Sequence, residues 1–457
     1  MVAVINLREI QQAKIEEKWK QVGYKAVDEM VKNLKEKIGE KEDFQAISEI
    51  VKKEGQKVSK AIMQEVINEQ GAKERAREKY VCQECGKMLT KQPQMRSRIV
   101  ESLNGEIEIE RPYFYCKSCQ KGYQPYDEEM KIAPQKKQYD LQRAAAELFS
   151  EVPYKRASQI FERLTGIKIT DHCMQEIASE MGQAADNIRV LPSQTKVEEI
   201  IEQATNGRVW KPVLVVAADG AHLPTRPQAS SRSEKRGKGE WKEAKGFRIY
   251  LVCQDRIEQI MSWHKIANEE EFGQALSFAS TLIPMEKVRI ALLGDGAKWL
   301  WTHLKRAFPT GTEILDYYHC SEHIHKMAKL LFTEQNEQAF FIESTMAKLN
   351  FGEVESVVAS LQRIKASTLE IEDEIRKLIS YLKSNSHRID YQSFKHSQFP
   401  RGSGAIESAN KFICHVRMKR SGAWWYQING NKMLLLRCAF SNDTFDQLFT
   451  RYKLINK

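Results

Sequence analysis

No run of 18 apolar residues occurs anywhere in the 457-residue chain, so no membrane-spanning helix is expected. The opening residues, Met1 to Arg8, lack a basic stretch leading into an apolar core, which argues against a secretory signal. Blocks of a single charge are missing too. Asp, Glu, Lys and Arg make up 29% of the chain but are intermixed, as on an ordinary globular surface. Gly and Pro are scarce in the first 78 residues, so little there interrupts a helix. These absences predict a cytoplasmic protein whose nine cysteines are reduced or bound to metal. What is present is 42% hydrophobic residues and a net charge of +10, modest over this length. That balance permits a polyanionic partner without identifying one. The length allows two to four domains, each with its own core.

The most informative stretch runs from Val288 to His319. Val288 to Gly294 is an apolar run short enough for a buried strand, and Asp295-Gly296 breaks it. Lys298 to Phe308 has helical spacing, Pro309 to Gly311 ends it, and Glu313 to His319 begins a second strand-like run. A compact strand–helix–strand unit places its two strands parallel in one sheet. Asp295 and Asp316 would then lie at the carboxyl ends of those strands, where open α/β sheets hold ligands. Two carboxylates at one edge repel unless a cation joins them. The plainer reading is that Asp-Gly is only a turn signal.

Along the chain, residues 1–78 carry apolar residues at helical spacing, with Ala26, Met30, Leu34 and Ile38 followed by Ile47, Ile50, Val51 and Val58. Two or three amphipathic helices are expected, either as a solvated arm or as a surface for partner contact or dimerisation. Residues 79–127 hold Cys82-Gln-Glu-Cys85 and Cys116-Lys-Ser-Cys119. Two such pairs supply the four thiolates of a tetrahedral Zn2+ site. Between them Asn104-Gly105 separates two alternating runs, a strong hairpin signal. The reading is a zinc ribbon rather than two redox pairs, and it would either touch DNA or brace the fold. Residues 128–192 read as three short helices: Leu141 to Val152, Tyr154 to Leu164, and one capped by Thr170-Asp171 after the break at Gly166. This helix-turn-helix-like outline would either read DNA through its third helix or simply pack.

A further domain, residues 205–330, opens with Lys211 to Gly220, again an apolar run closed by Asp-Gly, which puts Asp219 in the same setting as Asp295. Residues 225–246 form a Gly/Ser-rich basic loop with Arg226, Arg232, Lys235, Arg236, Lys238, Lys242 and Lys245, either solvated or suited to a phosphate backbone. Phe247 to Gln254 and Gln259 to Ile266 read as antiparallel strands. Residues 331–398 read as a helical insertion, and 399–440 as the second part of the same domain, ahead of a C-terminal tail at 441–457. Gly402-Ser403 opens a helix with the apolar stripe Ile406, Ala409, Ile413 and Val416, and Glu407 lies off that stripe, free to enter a cleft. Arg417, Lys419 and Arg420 make the far end basic, and Trp424-Trp425 follow, as core or as stacking platforms for bases.

With Asp219, Asp295 and Glu407 in hand, the chain resembles the DDE transposases, most closely the ISKra-type bacterial insertion-sequence family of the Mutator-like group. The resemblance rests on Cys116-x-x-Cys119 with its following Gly-Tyr-x-Pro, on Ala218-Asp-Gly-Ala, on Trp241-Lys-Glu, on Gly294 to His319, and on Gly402 through Trp424. It covers roughly residues 79–440; no motif covers 1–78. It implies a multidomain α+β protein: an RNase H-like α/β catalytic domain with a helical insertion, preceded by the zinc ribbon and a helical DNA-binding region. It implies Asp219, Asp295 and Glu407 as catalytic ligands of two Mg2+ (or Mn2+) ions, beside structural Zn2+ on Cys82, Cys85, Cys116 and Cys119. Asp316 and His319 fall on an accessory Asp-x-x-His element that would order the site or contact DNA. Lys298, Lys411 and Arg417 are candidates for backbone contacts, and His323 reads as a structural histidine. The implied partners are double-stranded DNA, both transposon inverted-repeat ends and target, and further copies of the chain as a homodimer or larger assembly on DNA. The implied setting is the bacterial nucleoid. Two other functions fit the same residues: a domesticated, non-catalytic zinc-ribbon DNA-binding protein, and an RNase H-like structure-selective nuclease.

Overall fold

The computed structural model describes residues 7–39, 42–186, 188–205, 210–227, 237–253 and 256–456. The chain is mixed α and β and divides into two compact units, residues 1–178 with 450–457, and residues 179–449. Among the described residues no helix is long and apolar enough to cross a membrane.

In the first unit α1 (Leu7–Lys37) and α2 (Phe44–Gln70) pair lengthwise, followed by α3 (Ala72–Arg75). Lys18 meets Glu65 and Glu69, while Lys37 meets Glu54, which fixes the pair as antiparallel. Glu54 is buried yet fully partnered by Lys37, Lys57 and Asn33, and the Lys37 bond first of all holds its carboxyl down to about 2. Three two-stranded antiparallel sheets come next: β1 (Lys79–Val81) with β2 (Met88–Thr90), β3 (Arg96–Ser102) with β4 (Gly105–Arg111), and β5 (Phe114–Cys116) with β6 (Lys121–Tyr123). The β3–β4 hairpin turns at Leu103-Asn104, with Gly105 at φ +101°, a conformation that costs glycine nothing. Four helices complete the run: α4 (Pro125–Glu129), α5 (Tyr139–Glu151), α6 (Tyr154–Thr165) and α7 (Asp171–Ala184). Gly166 ends α6 at φ +74°, and the Thr170 hydroxyl oxygen accepts from the Cys173 N–H at 3.2 Å to start α7.

The second unit is built on one mixed sheet. After α8 (Gln194–Thr205) come β7 (Val213–Arg226), β8 (Glu240–Cys253), β9 (Arg256–Lys265), α9 (Glu269–Thr281), β10 (Arg289–Gly294), α10 (Lys298–Ala307) and β11 (Thr312–Leu315). The order is β11-β10-β7-β8-β9, parallel from β11 to β7 and antiparallel from β7 to β9. Val213 to Ala218 are all buried, as expected of a central strand covered on both faces. On one face Phe247 stacks on Trp263 and both meet Phe272 of α9. The helices α11 (Tyr317–Leu331), α12 (Gln335–Asn350), α13 (Val354–Gln362), α14 (Leu369–Ser384) and α15 (Tyr391–His396) then intervene before α16 (Gly404–Ala409). A π-helical turn (Asn410–His415), α17 (Val416–Met418), β12 (Trp425–Tyr426), α18 (Gln427–Ser441) and α19 (Phe445–Ile455) close the chain. The edge strand β9 is sealed by α18. Asn442 accepts from Ser262 N and donates to its carbonyl, and Asn431 does the same at Ile266, so side-chain amides complete the ladder that another chain would otherwise seek.

Three sequence expectations change here. The strand-like run from Glu313 stops at Leu315, and Tyr317 to His319 open α11 instead, because Asp316 caps a helix there. Residues 225–246 are not one loop: β7 and β8 run on as a long hairpin, pairing Asp219 with Gly246 and Thr225 with Glu240, so Asp219-Gly220 lies inside a strand instead of ending it. Continued pairing with β8 outweighs the local turn preference. The stripe on the Glu407 helix also breaks. Ile406, Ala409 and Ile413 are buried, but the wider π turn rotates the residues beyond it, so Val416 is exposed while Arg417 and Met418 turn inward.

Candidate functional site

Asp219, Asp295, Asp316, His319, Glu322 and Glu407 line one pocket of ≈ 100 Å³ in the second unit, room for a few waters or small hydrated ions. Each side chain is placed by an identifiable local cause. Asp219 projects from within β7, with Oδ1 accepting from Gly220 N at 2.7 Å and Oδ2 from Asn410 Nδ2 at 2.8 Å. Asp295 comes just after the end of β10, and its Oδ1 accepts from Ala297 N at 2.9 Å across a turn that Gly296 makes at φ +101°. Glu407 lies in the first turn of α16, and Ser403, four residues earlier, donates its hydroxyl to Oε1 at 2.7 Å. Asp316 caps α11 through His319 N at 2.6 Å, and its other oxygen accepts from Ser403 N. Both Asp316 oxygens are thus engaged by backbone, tying the start of α11 to the turn that carries Glu407.

The electrostatics are those of crowded carboxylates. Burial first, then the neighbouring Asp295 and Glu407, push the Asp219 carboxyl up to about 6. His319 adjoins this cluster, and its ring meets His323 edge-on at 5.0 Å. His323 packs against Tyr381 at 4.4 Å and its pKa is lowered, chiefly by burial. The Tyr381 hydroxyl in turn donates to the Asp295 carbonyl at 3.4 Å. Asp219, Asp295 and Glu407 thus face one pocket from three separate elements, a strand, the turn after a strand and a helix.

A cage does exist in the first unit. Among the described residues, Cys82, Cys85, Cys116 and Cys119 are the group of candidate metal ligands whose atoms all lie within 4.8 Å of one another. Cys82 Sγ is 3.9 Å from Cys119 Sγ, and Cys85 Sγ is 3.7 Å from Cys116 Sγ. A zinc tetrahedron with arms of about 2.3 Å has sulfur–sulfur edges of about 3.8 Å, so the four thiols fit that ion. Each pair sits in a tight turn: Gly86 at φ +70° behind the first, Gln120 at φ +54° behind the second. Tyr80, Leu89 and Phe114 pack beneath them, with Tyr123 alongside. The Tyr123 hydroxyl, 3.2 Å from Cys82 Sγ, draws that thiol down to about 6, while the neighbouring sulfurs, Cys85 first, push Cys119 up to about 12. Sulfurs that compete for negative charge in this way are those a cation would reconcile.

The basic candidates scatter more widely. Lys298, Lys411, Lys419 and Arg420 are exposed, as is Lys238. Lys242 bonds Gln427 at 3.1 Å and pairs with Glu240 at 3.0 Å. Arg226 lies over the Tyr426 ring at 5.0 Å. Arg417, 3% exposed, packs on the half-buried Trp425 at 5.1 Å, and the Trp425 Nε1–H donates to the Met418 carbonyl, so the guanidinium is interior and not on the surface. Lys245 is also buried, over Trp299 and against Glu243. Trp424 is exposed and meets Trp241 edge-on at 6.4 Å, with Lys419 over Trp241 at 5.3 Å. Arg232, Lys235 and Arg236 lie outside the described residues. Sequence reasoning missed Glu322, Ser403, Asn410 and His264 around the acids. The spacing of Ser403 and Asn410 from Glu407, four before and three after, was the only available signal for any of them.

No curated protein matches the chain. The Drosophila P element transposase strand transfer complex is similar in structure at TM-score 0.24 and 8% identity, covering 68% of this chain and 79% of that one, a likeness too low to carry an argument. The family profile is decisive: matched over residues 7–452, with its cysteine cage and its open acid pocket, the chain belongs to the uncharacterised protein family UPF0236.

Proposed function

We infer that the protein is a DDE-type transposase, binding the ends of a mobile DNA element and cutting and joining strands at the acid pocket. The observation that carries this reading is that Asp219, Asp295 and Glu407, far apart in the sequence, line one pocket in which Asp219 is partly desolvated. The second unit is read as an RNase H-like domain with α11 to α15 as its insertion, and the cysteine cage as a zinc ribbon that braces the first unit. Paired Mg2+ ions held by the three acids would supply charge stabilisation for the attacking and leaving oxygens of a phosphodiester.

The chain's own residues have separate tasks. Asp219, Asp295 and Glu407 would hold hard cations through oxygen, leaving coordination positions for water and phosphate. Ser403 orients Glu407, and Asp316 fixes Ser403 relative to α11. His319, at the pocket wall, would order the site or meet a phosphate oxygen. Exposed Lys298, Lys411, Lys419 and Arg420 supply attraction for the backbone, and Trp241 with Trp424 offers aromatic faces to bases. In the first step water attacks a phosphodiester at the element's end, freeing a 3′-hydroxyl. In the second, that hydroxyl attacks target DNA, one P–O bond forming as another breaks, with no covalent enzyme intermediate.

The test is incubation of zinc-loaded, full-length protein with Mg2+, duplex carrying the element's ends, and target DNA. Nicked ends and end–target joints are expected. Cutting without joining would make the protein a structure-selective nuclease, and end binding without cutting a non-catalytic DNA-binding protein.

A further inference from the structure

Three strands of the second unit place Asp219, Gly246 and His264 side by side. Asp219 of β7 pairs with Gly246 of β8, and Gly246 pairs with His264 of β9. A Cβ at 246 would overlap the His264 ring, so the bare glycine is what lets that ring lean across β8 toward Asp219. Above the row sits Asn410, the first residue of the π turn and three residues beyond Glu407. Its Nδ2 donates to Asp219 Oδ2 at 2.8 Å, and its Oδ1 lies 2.9 Å from His264 Nε2. With Asp219 ionised, the hydrogen-bond partners fix the protons along the row. The amide N–H₂ faces the carboxylate, so the amide oxygen faces the ring, and Nε2 must be the protonated ring nitrogen. His264 Nδ1 is buried with no partner, as suits a neutral imidazole. Asn410 and His264 are 4% and 0% exposed, so water does not substitute for either bond.

We propose that Asn410 is a positioning residue for the acid pocket: backed by His264 across Gly246, it holds the Asp219 carboxylate in one orientation and locks it to the helix that carries Glu407. This rests on the reading of Asp219 and Glu407 as cation ligands. A neutral brace suits that task. An Arg or Lys at 410 would compete with the cation for Asp219, whereas an amide orients the carboxylate and leaves its charge available. Asn410 opens the π turn, so the brace stands where the helix changes pitch, next to the buried Ala409 and Ile413.

The test reads Mn2+ affinity of zinc-loaded, full-length protein without DNA, by the resonance signal of free Mn2+, with thermal melts in parallel. Loss of a hydrogen bond that orients a metal ligand typically costs 10- to 100-fold in metal affinity. Asn410→Leu is expected to weaken Mn2+ binding by about that factor in folded protein. His264→Leu should weaken it similarly, while His264→Gln, whose amide N–H₂ replaces the Nε2–H donor, should bind close to wild type. That rescue separates positioning from bulk stability, because both His264 variants lose the ring. Wild-type affinity in Asn410→Leu, or no advantage of Gln over Leu at 264, overturns the proposal while leaving the acid pocket standing. Absence of Mn2+ binding in the wild type overturns the pocket itself, and the brace with it.

Discussion

The cysteine cage and the acid pocket solve opposite problems. The four thiols come from two tight turns within one short stretch of chain, and their sulfurs already stand at the spacing of a zinc tetrahedron's corners. The acids come from a strand, a strand end and a distant helix, and line one pocket. A closed set of soft ligands stabilises a fold, whereas an open set of hard ligands keeps positions for water and substrate. The burial of Asp219 among like charges works against folding in order to hold that opening. On the proposed function, one site would be filled permanently and the other would exchange its ligands.

The largest effect should come from emptying the cage. Structural zinc is worth on the order of 10 kcal/mol of folding free energy in small zinc domains. Chelation, or Cys82→Ser, should therefore lower the thermal transition of the first unit by at least about 10 °C. Mn2+ binding at the acid pocket should be unchanged, and a matching loss there would break the contrast. Next, Asp295→Asn or Glu407→Gln should cut strand cleavage by roughly a thousandfold or more, the equivalent of several kcal/mol of transition-state stabilisation. Zinc content and end binding should be retained, as measured by metal analysis and a DNA shift assay.

The third effect is of intermediate size and opposite sign. Asp219 binds its proton more tightly folded than unfolded, with a pKa of about 6 against 3.8, so metal-free protein gains stability as pH falls through 6 toward 4. Above pH 6 the buried charge costs at most about 3 kcal/mol. Asp219→Asn should therefore raise the melting temperature of metal-free protein at neutral pH and flatten its dependence on pH in that window. By the same linkage, wild-type Mn2+ affinity should decline below pH 6. The smallest effect belongs to the exposed cations: Lys411→Ala or Lys419→Ala should each reduce the salt dependence of DNA binding by about one unit of slope.

Much of this was legible in the sequence because it was local. The switch from an apolar run to helical spacing and back between Val288 and Leu315 gave β10, α10 and β11, and Cys-x-x-Cys spacing announced the cage. The extension of β7 past Gly220 was hidden, because Asp-Gly with Pro224 soon after it reads as a turn until β8 pairs with it. The π turn was hidden because helical periodicity assumes a constant pitch, so Val416 was expected inside and Arg417 outside. The brace behind Asp219 was the least legible. Gly246, His264 and Asn410 meet only through register across three strands and the fold of a distant helix, and no window of sequence contains them.

Two-metal chemistry at the acid pocket can be read by counting divalent ions on zinc-loaded protein bound to DNA that carries the element's ends, using Mn2+ in place of Mg2+. Two Mn2+ per pocket are expected, lost on Asp219→Asn, Asp295→Asn or Glu407→Gln, with strand cleavage lost in step. Cleavage that survives in any of these variants, or DNA-bound protein that takes up no Mn2+ at all, would contradict two-metal chemistry there.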